Sequence, residues 1–213
     1  MQTFFLRYFL IIFFLLAKAS YAQTASVDLA NLLNAVHTMK ANFVQTIYDN
    51  HGKAIQQSTG NMSLERPGKF RWQVKKPIPQ LIIANNSRLW VYDPDLQQVT
   101  IRVLSQSTGE TPALLLSHVN VTLDKDYIVK PLTKNTPNSR WFELLPRGAD
   151  NVFASVQLGF VNNQIREMYL KDHLGHTTRI QFEDAKSNMS ISPSTFIFKA
   201  PANVDVIDET RKK

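Results

Sequence analysis

From about residue 40 to residue 184 the apolar residues recur with a period of two, in short runs broken by glycine, proline, asparagine or aspartate. No other feature constrains the fold as much. Period two places alternate side chains on opposite faces of a strand, and turn-forming residues between such runs bring consecutive strands together antiparallel. The runs predict strands at roughly 40–49, 54–65, 69–76, 79–85, 88–93, 97–103, 126–132, 140–146, 152–161, 164–172 and 176–184, with a last short one near 195–199. Their turns carry His51-Gly52, Asn85-Asn86-Ser87, Asn162-Asn163 and Leu174-Gly175, residues that tolerate positive φ or bond their own backbone. A sheet of about eleven strands accumulates twist and curls on itself.

Two segments break the alternation. Ser26 is placed to cap a helix in which Leu29, Leu32, Leu33 and Val36 recur at helical spacing, with Asp28 in its first turn. Thr111 and Pro112 are placed to open a second, short apolar helix, Ala113-Leu114-Leu115-Leu116. Helices cannot extend the sheet, so both are expected across one face of it, which makes the fold α+β, mainly β. In strand 69–76 the alternation sets Phe70, Trp72 and Val74 inside and Lys69, Arg71, Gln73 and Lys75 toward water. In 88–93, Leu89, Val91 and Asp93 oppose Trp90 and Tyr92. Aromatic side chains on an inner face with only two short helices to cover them describe a concave apolar surface. No repeat or break in composition divides the chain.

At the N-terminus Arg7 precedes the apolar run Tyr8 to Leu16, and Ser20-Tyr21-Ala22 follows as a small-x-small cleavage site, the pattern of a secretory signal peptide over residues 1–22. The run is short of the ~20 residues of a spanning helix, and Lys18 closes it. The mature protein, residues 23–213, is expected to be a single domain. It has no cysteine, hence neither a disulfide framework nor a thiol to acylate, so it is expected to be exported but unanchored. Of the formal net charge of +7, two charges belong to Arg7 and Lys18 in the signal. The remaining surplus is spread out, and export argues against nucleic acid as a partner. A mildly basic surface suits acidic partner proteins or anionic headgroups, although solubility alone would also account for it. Lys69, Arg71 and Lys75 are the residues expected to take part in docking.

Nothing in the chain supports an enzyme. The glycines form neither G-x-G-x-x-G nor a phosphate loop, and no serine sits in a G-x-S-x-G elbow. His173 and His176 bracket a turn without a nearby acidic or thiol set, so they read as solvated turn residues, and no metal or cofactor is expected. Two readings are open for Arg66, in the turn Glu65-Arg66-Pro67-Gly68: a strand-end arginine in solvent, or a cation reaching across the cavity mouth to bond backbone carbonyls with its five donors. Phe70, Trp72 and Trp90 have two readings as well, as core or as cavity lining.

The stretch Ser63-Leu64-Glu65-Arg66-Pro67-Gly68-Lys69-Phe70-Arg71-Trp72 resembles the R-P-x-x-F-x-W signature of the LolA-type outer-membrane lipoprotein carriers. Phe43-Val44-Gln45 is similar to that family's F-x-Q strand, Leu89-Trp90-Val91-Tyr92-Asp93-Pro94 to its L-W-x-Y-x-P strand, Thr111 to Leu116 to its lid helix, and Phe196 to Pro201 to its closing F-x-F-x-x-P segment. Together, in order, these cover essentially the whole mature chain. The resemblance implies an unclosed antiparallel half-barrel with a helical lid, and a monomeric periplasmic chaperone of a Gram-negative bacterium. It also implies partners: acylated lipoproteins as cargo, an ATP-driven release complex of the inner membrane as donor, and an outer-membrane lipoprotein receptor as acceptor. A receptor of the same fold would itself need a lipobox cysteine; a carrier or sensor for another lipid or amphiphile is the alternative. Arg66 matches the family's latch. With it, Phe70, Trp72 and Trp90 are expected at the cavity and Leu114, Leu115 and Leu116 at the lid.

Overall fold

The computed structural model describes residues 25–85, 87–104, 116–117, 123–135, 137–148 and 151–210. The expected signal peptide and residues 111–115 of the expected lid helix lie outside these. Helix α1 occupies residues 25–34, so Ser26, read as its cap, is already a helical residue and is buried. Strands follow in sequence order: β1 Thr38–Tyr48, β2 Ala54–Glu65, β3 Lys69–Lys76, β4 Gln80–Asn85, β5 Arg88–Asp93 and β6 Gln98–Val103. After a one-turn helix α2, Leu123–Asp126, come β7 Tyr127–Leu132, β8 Ser139–Pro146, β9 Phe153–Val161, β10 Gln164–Asp172, β11 Thr177–Ser187 and β12 Asp205–Asp208. Asn162 and Asn163 both adopt the left-handed region, φ 50° and 65°, which matches the right-handed twist of the strands that the β9–β10 turn joins.

All twelve strands belong to one sheet, in the order β12-β6-β5-β4-β3-β2-β1-β11-β10-β9-β8-β7. The sheet is not closed: β12 and β7 are its two edges. Every pairing is antiparallel except β12 with β6. The expected strand at 195–199 is not one. Pro193–Phe196 form a 3-10 turn, and the terminal strand lies further on, at Asp205–Asp208. Pro193 and Pro201 bound the segment, and the alternation of Phe196 and Phe198 that suggested a strand serves instead to pin an irregular strap across the sheet.

Register fixes the two faces. Met62 opposes Trp72, Trp72 opposes Ile82 and Ile82 opposes Val91, so these side chains share one face, together with Leu64, Phe70, Ala84 and Leu89. On the other half of the sheet Phe142, Leu144, Leu158, Met168 and Ile180 line the same face. These residues form one buried cluster with Ala25, Leu29, Leu32 and Leu33 of α1, so the helix covers the concave side. Phe43 stacks on Trp72 with ring centroids 3.6 Å apart and an interplanar angle of 13°. Gly60 permits this: a Cβ there would lie 1.9 Å from the Gln73 carbonyl oxygen and 2.6 Å from the Phe43 ring.

The convex face is not uniformly wet. The strap at 193–201 lies over β3–β5, where Phe198 stacks near Trp90 (6.4 Å) and Tyr92 (6.1 Å). Ile83, on this side, is 1% exposed. Arg71, expected toward water, is half-buried under the strap and donates to the Thr195 carbonyl, and that burial lowers its pKa. Of the three residues expected to dock partners, Lys69 is half-buried and paired with Glu65 at 2.6 Å, and only Lys75 is exposed.

Candidate functional site

At the β2–β3 turn the chain reverses within residues 66–68, which sets Arg66 at one end of the concave core. Met39, Leu64, Phe160 and Ile165 from four strands converge there with Leu32 and Leu33 of α1 and with Leu116. The cavity they leave is about 20 Å³, lined also by Val36 and Arg66. That cavity, among the described residues, has room for roughly one water molecule and for no acyl chain.

Arg66 closes it. Its Nε and Nη2 donate to the Leu116 carbonyl at 3.1 and 2.7 Å, and its Nη1 donates to the Leu33 carbonyl. Leu33 lies in the last turn of α1, where carbonyls lack intrahelical donors and the helix dipole favours a cation. The surrounding backbone adds to the closure: Arg66 N donates to the His37 carbonyl at 2.8 Å and Gly68 N to that of Ser117 at 3.3 Å. Burial pushes the guanidinium pKa down to about 10, so it stays cationic at neutral pH. One residue thus ties together α1, the 116–117 turn and the β2–β3 turn, across an apolar interior.

Phe70 and Trp72 stand behind this mouth on the concave face, 0% and 2% exposed. Leu116 is buried at the mouth and supplies the acceptor just described. Leu114 and Leu115 fall outside the described residues. Trp90 requires a correction. It opposes Ile83 and Ile101, whereas the concave residues of the same strand are Leu89 and Val91, so its indole lies on the convex face against Phe198 and away from the cavity. Both faces of β5 are apolar because both are covered, so alternation alone cannot say which set is inside. The mouth residues Met39, Leu64, Phe160 and Ile165 were not singled out from the sequence. Their strands are distant along the chain, and only the pairing gathers them.

Among the described residues the polar groups elsewhere lie away from the mouth. On the convex face Tyr169 donates to Glu167 at 2.8 Å, Glu167 pairs with Arg179 at 3.1 Å, and Lys134 lies 3.6 Å over the Trp141 ring. The turn histidines, expected to be solvated with no acid nearby, have partners instead: His176 Nδ1 is 2.8 Å from a carboxylate oxygen of Asp172 in the same turn, and His173 Nε2 is 2.9 Å from the Asn151 carbonyl oxygen. Among the described residues no group of three or more His, Cys, Asp or Glu side chains is placed to hold a metal ion. An apolar interior fastened at one end by Arg66 is equipped to enclose and release something apolar.

Comparison with known proteins agrees with this geometry. The family described as outer membrane lipoprotein carrier protein LolA matches residues 34–199. An outer-membrane lipoprotein carrier protein of Hahella chejuensis is 42% identical over 194 residues, covering 91% of this chain and 93% of that protein. That of Pseudomonas aeruginosa PAO1 is 37% identical over 203 residues, covering 92% and 97%. Among solved structures, a LolA superfamily protein from Nitrosomonas europaea superposes with a TM-score of 0.51 at 13% identity, over 84% of this chain and 98% of its own, a likeness of fold. The matched span runs from the end of α1 through the Arg66 turn to the strap, and on it the chain belongs to the outer-membrane lipoprotein carrier (LolA) family.

Proposed function

We propose that this chain is a periplasmic chaperone that encloses the acyl chains of lipoproteins on the concave face of its sheet and passes them on at the outer membrane. The observation that carries this reading is the fastening of α1 and the 116–117 turn by Arg66 over a concave face made almost wholly of apolar side chains. Moving an acyl chain from water onto such a surface gains about 0.8 kcal/mol per buried methylene, so holding is easy and release is the constraint. A closed empty state that is itself favourable meets the constraint, because opening it subtracts from the gain on loading.

The finer parts of the reading extend the same logic. Residues 1–22 direct export and are removed, leaving residues 23–213 as one carrier domain that works as a monomer. An inner-membrane ATP-driven release complex supplies the cargo, since extracting a triacylated protein from a bilayer is uphill. An outer-membrane receptor takes the cargo because it binds the acyl chains more tightly. Phe70, Trp72, Arg66 and Leu116 act at the cavity, with Leu114 and Leu115 on the lid; the concave neighbours Leu89 and Val91 take the place first expected of Trp90. No step calls for bond-making chemistry. Native mass spectrometry of the protein isolated from the periplasm tests the proposal. A complex with one triacylated lipoprotein is expected, and a complex with a free lipid alone would refute it in favour of a carrier for another amphiphile.

A further inference from the structure

The link between α1 and β1, residues 35–37, is gripped by a side chain from the far end of the chain. Asn188 follows β11 and has a left-handed backbone, φ 57°. Its Nδ2 donates to the Ala35 carbonyl at 2.8 Å, its Oδ1 accepts from His37 N at 2.8 Å, and its own backbone N donates to the Thr38 carbonyl at 2.8 Å. One residue away, Thr38 Oγ1 donates to the Met189 carbonyl at 2.6 Å. The side-chain amide therefore uses a donor and an acceptor on the two peptide groups that flank Val36, and the backbone N of Asn188 secures the Thr38 carbonyl. On the other side, Arg66 N holds the His37 carbonyl while its guanidinium holds that of Leu33.

The two sets of contacts divide between Leu33 and Ala35. Towards α1 the side-chain grip among the described residues is Arg66 on Leu33. From Ala35 to Thr38 there is a clamp built on Asn188 and on main-chain bonds to the sheet. We propose that Asn188 is a positioning residue that fixes residues 35–38 as a hinge, so that when Arg66 lets go of Leu33 the helix swings as a flap on a stationary root instead of leaving the sheet. A fixed root lets the same closed state re-form after each delivery. The inference rests on reading Arg66 as the fastener of a lid, and it adds a residue and a direction of movement to that reading.

The absence of cysteine makes the test clean, since two introduced cysteines are the only labelling sites. Spin labels at the exposed positions Val27 and Lys76 report the helix start against β3, and labels at Ala35 and Lys76 report its root. In Arg66→Leu the first distance distribution should broaden while the second stays narrow; in Asn188→Gly the second should broaden as well. Glycine keeps the left-handed backbone and removes only the amide, so folding is preserved. Hydrogen exchange at the His37 amide should run about fivefold faster in Asn188→Gly, the effect of losing one modest hydrogen bond, and return toward normal in Asn188→Asp, which keeps the acceptor. If Asn188→Gly leaves the Ala35 distribution narrow, or if Arg66→Leu broadens both together, the hinge is refuted. These readouts use the cargo-free protein, so a failure to find acyl cargo would strike at the carrier reading and leave the hinge standing.

Discussion

Replacing Arg66 by leucine should make the protein hold cargo too well. Leucine fills the turn but donates nothing, so the Leu33 and Leu116 carbonyls lose their charged partner. Each of the two acceptors is worth about 1 kcal/mol net at a partly buried site, once the desolvation of the guanidinium is set against it. Removing both weakens the closed empty state by about 2 kcal/mol, a factor of roughly 30 in the ratio of open to closed. If the closed state dominates in the natural protein, apparent affinity for acyl cargo rises by up to that factor, because it scales with the binding-competent fraction. Delivery should slow as well, because lid closure no longer competes with the bound chain for the concave face. The assay is transfer of a fluorescently acylated lipoprotein from loaded carrier to excess receptor, with affinity measured alongside by anisotropy. Arg66→Leu should load fully and transfer slowly. Arg66→Lys should fall between, since an ammonium is a point charge that cannot fork across both carbonyls. Normal transfer by Arg66→Leu would show that the fastening plays no part in release.

Further outcomes follow from the packing. Gly60→Ala sets a Cβ against the Gln73 carbonyl and the Phe43 ring and should cost about 2–3 kcal/mol, read as a lower urea midpoint; an unchanged midpoint would mean that β2 and Phe43 yield freely. Trp72→Ala should lower stability by about 3–5 kcal/mol and weaken cargo binding, whereas Trp90→Ala should leave cargo affinity unchanged because its indole lies on the other face. Burial, the hydrogen bond to Glu167 and the charge of Glu167 together raise the Tyr169 phenol to about 12. With the folded pKa above the ordinary value near 10, this group leaves stability untouched below that value and erodes it as pH climbs toward 12. Burial and the charge of Asp126 raise Tyr127 as well, so ultraviolet titration should show late-titrating tyrosines and lose the one near 12 in Tyr169→Phe.

How much of this was legible beforehand depended on whether a signal was local. Strand edges and turns were, because a period of two and residues such as Asn162-Asn163 act over a few residues, and β2, β3, β5 and β10 lie where they were expected. The curling sheet followed from strand number. The side of Trp90 was not legible: Leu89, Trp90, Val91 and Tyr92 are all apolar, and the strap that hides the convex half comes from residues more than a hundred positions later. The strand Asp205–Asp208 escaped for a related reason, since it is short, ends in acids at both sides, and gains its place only by pairing parallel to β6. Arg66 had two readings as a residue, and the resemblance to carriers favoured the latch. What no local pattern holds is its acceptors, because Leu33 and Leu116 are 33 and 50 residues away. Asn188, more than 150 residues from the link it grips, has no local signature either.

The central claim is that acyl chains occupy the concave face, where the cavity beside Arg66 measures about 20 Å³. A lipoprotein bearing a photoactivatable diazirine in one acyl chain, loaded onto the carrier, irradiated and mapped by mass spectrometry, tests it without altering the carrier. Adducts are predicted on Met39, Leu64, Phe160, Ile165 and residues deeper on that face such as Phe70. Adducts confined to the convex face around Trp90, Tyr92 and Phe198 would contradict the claim.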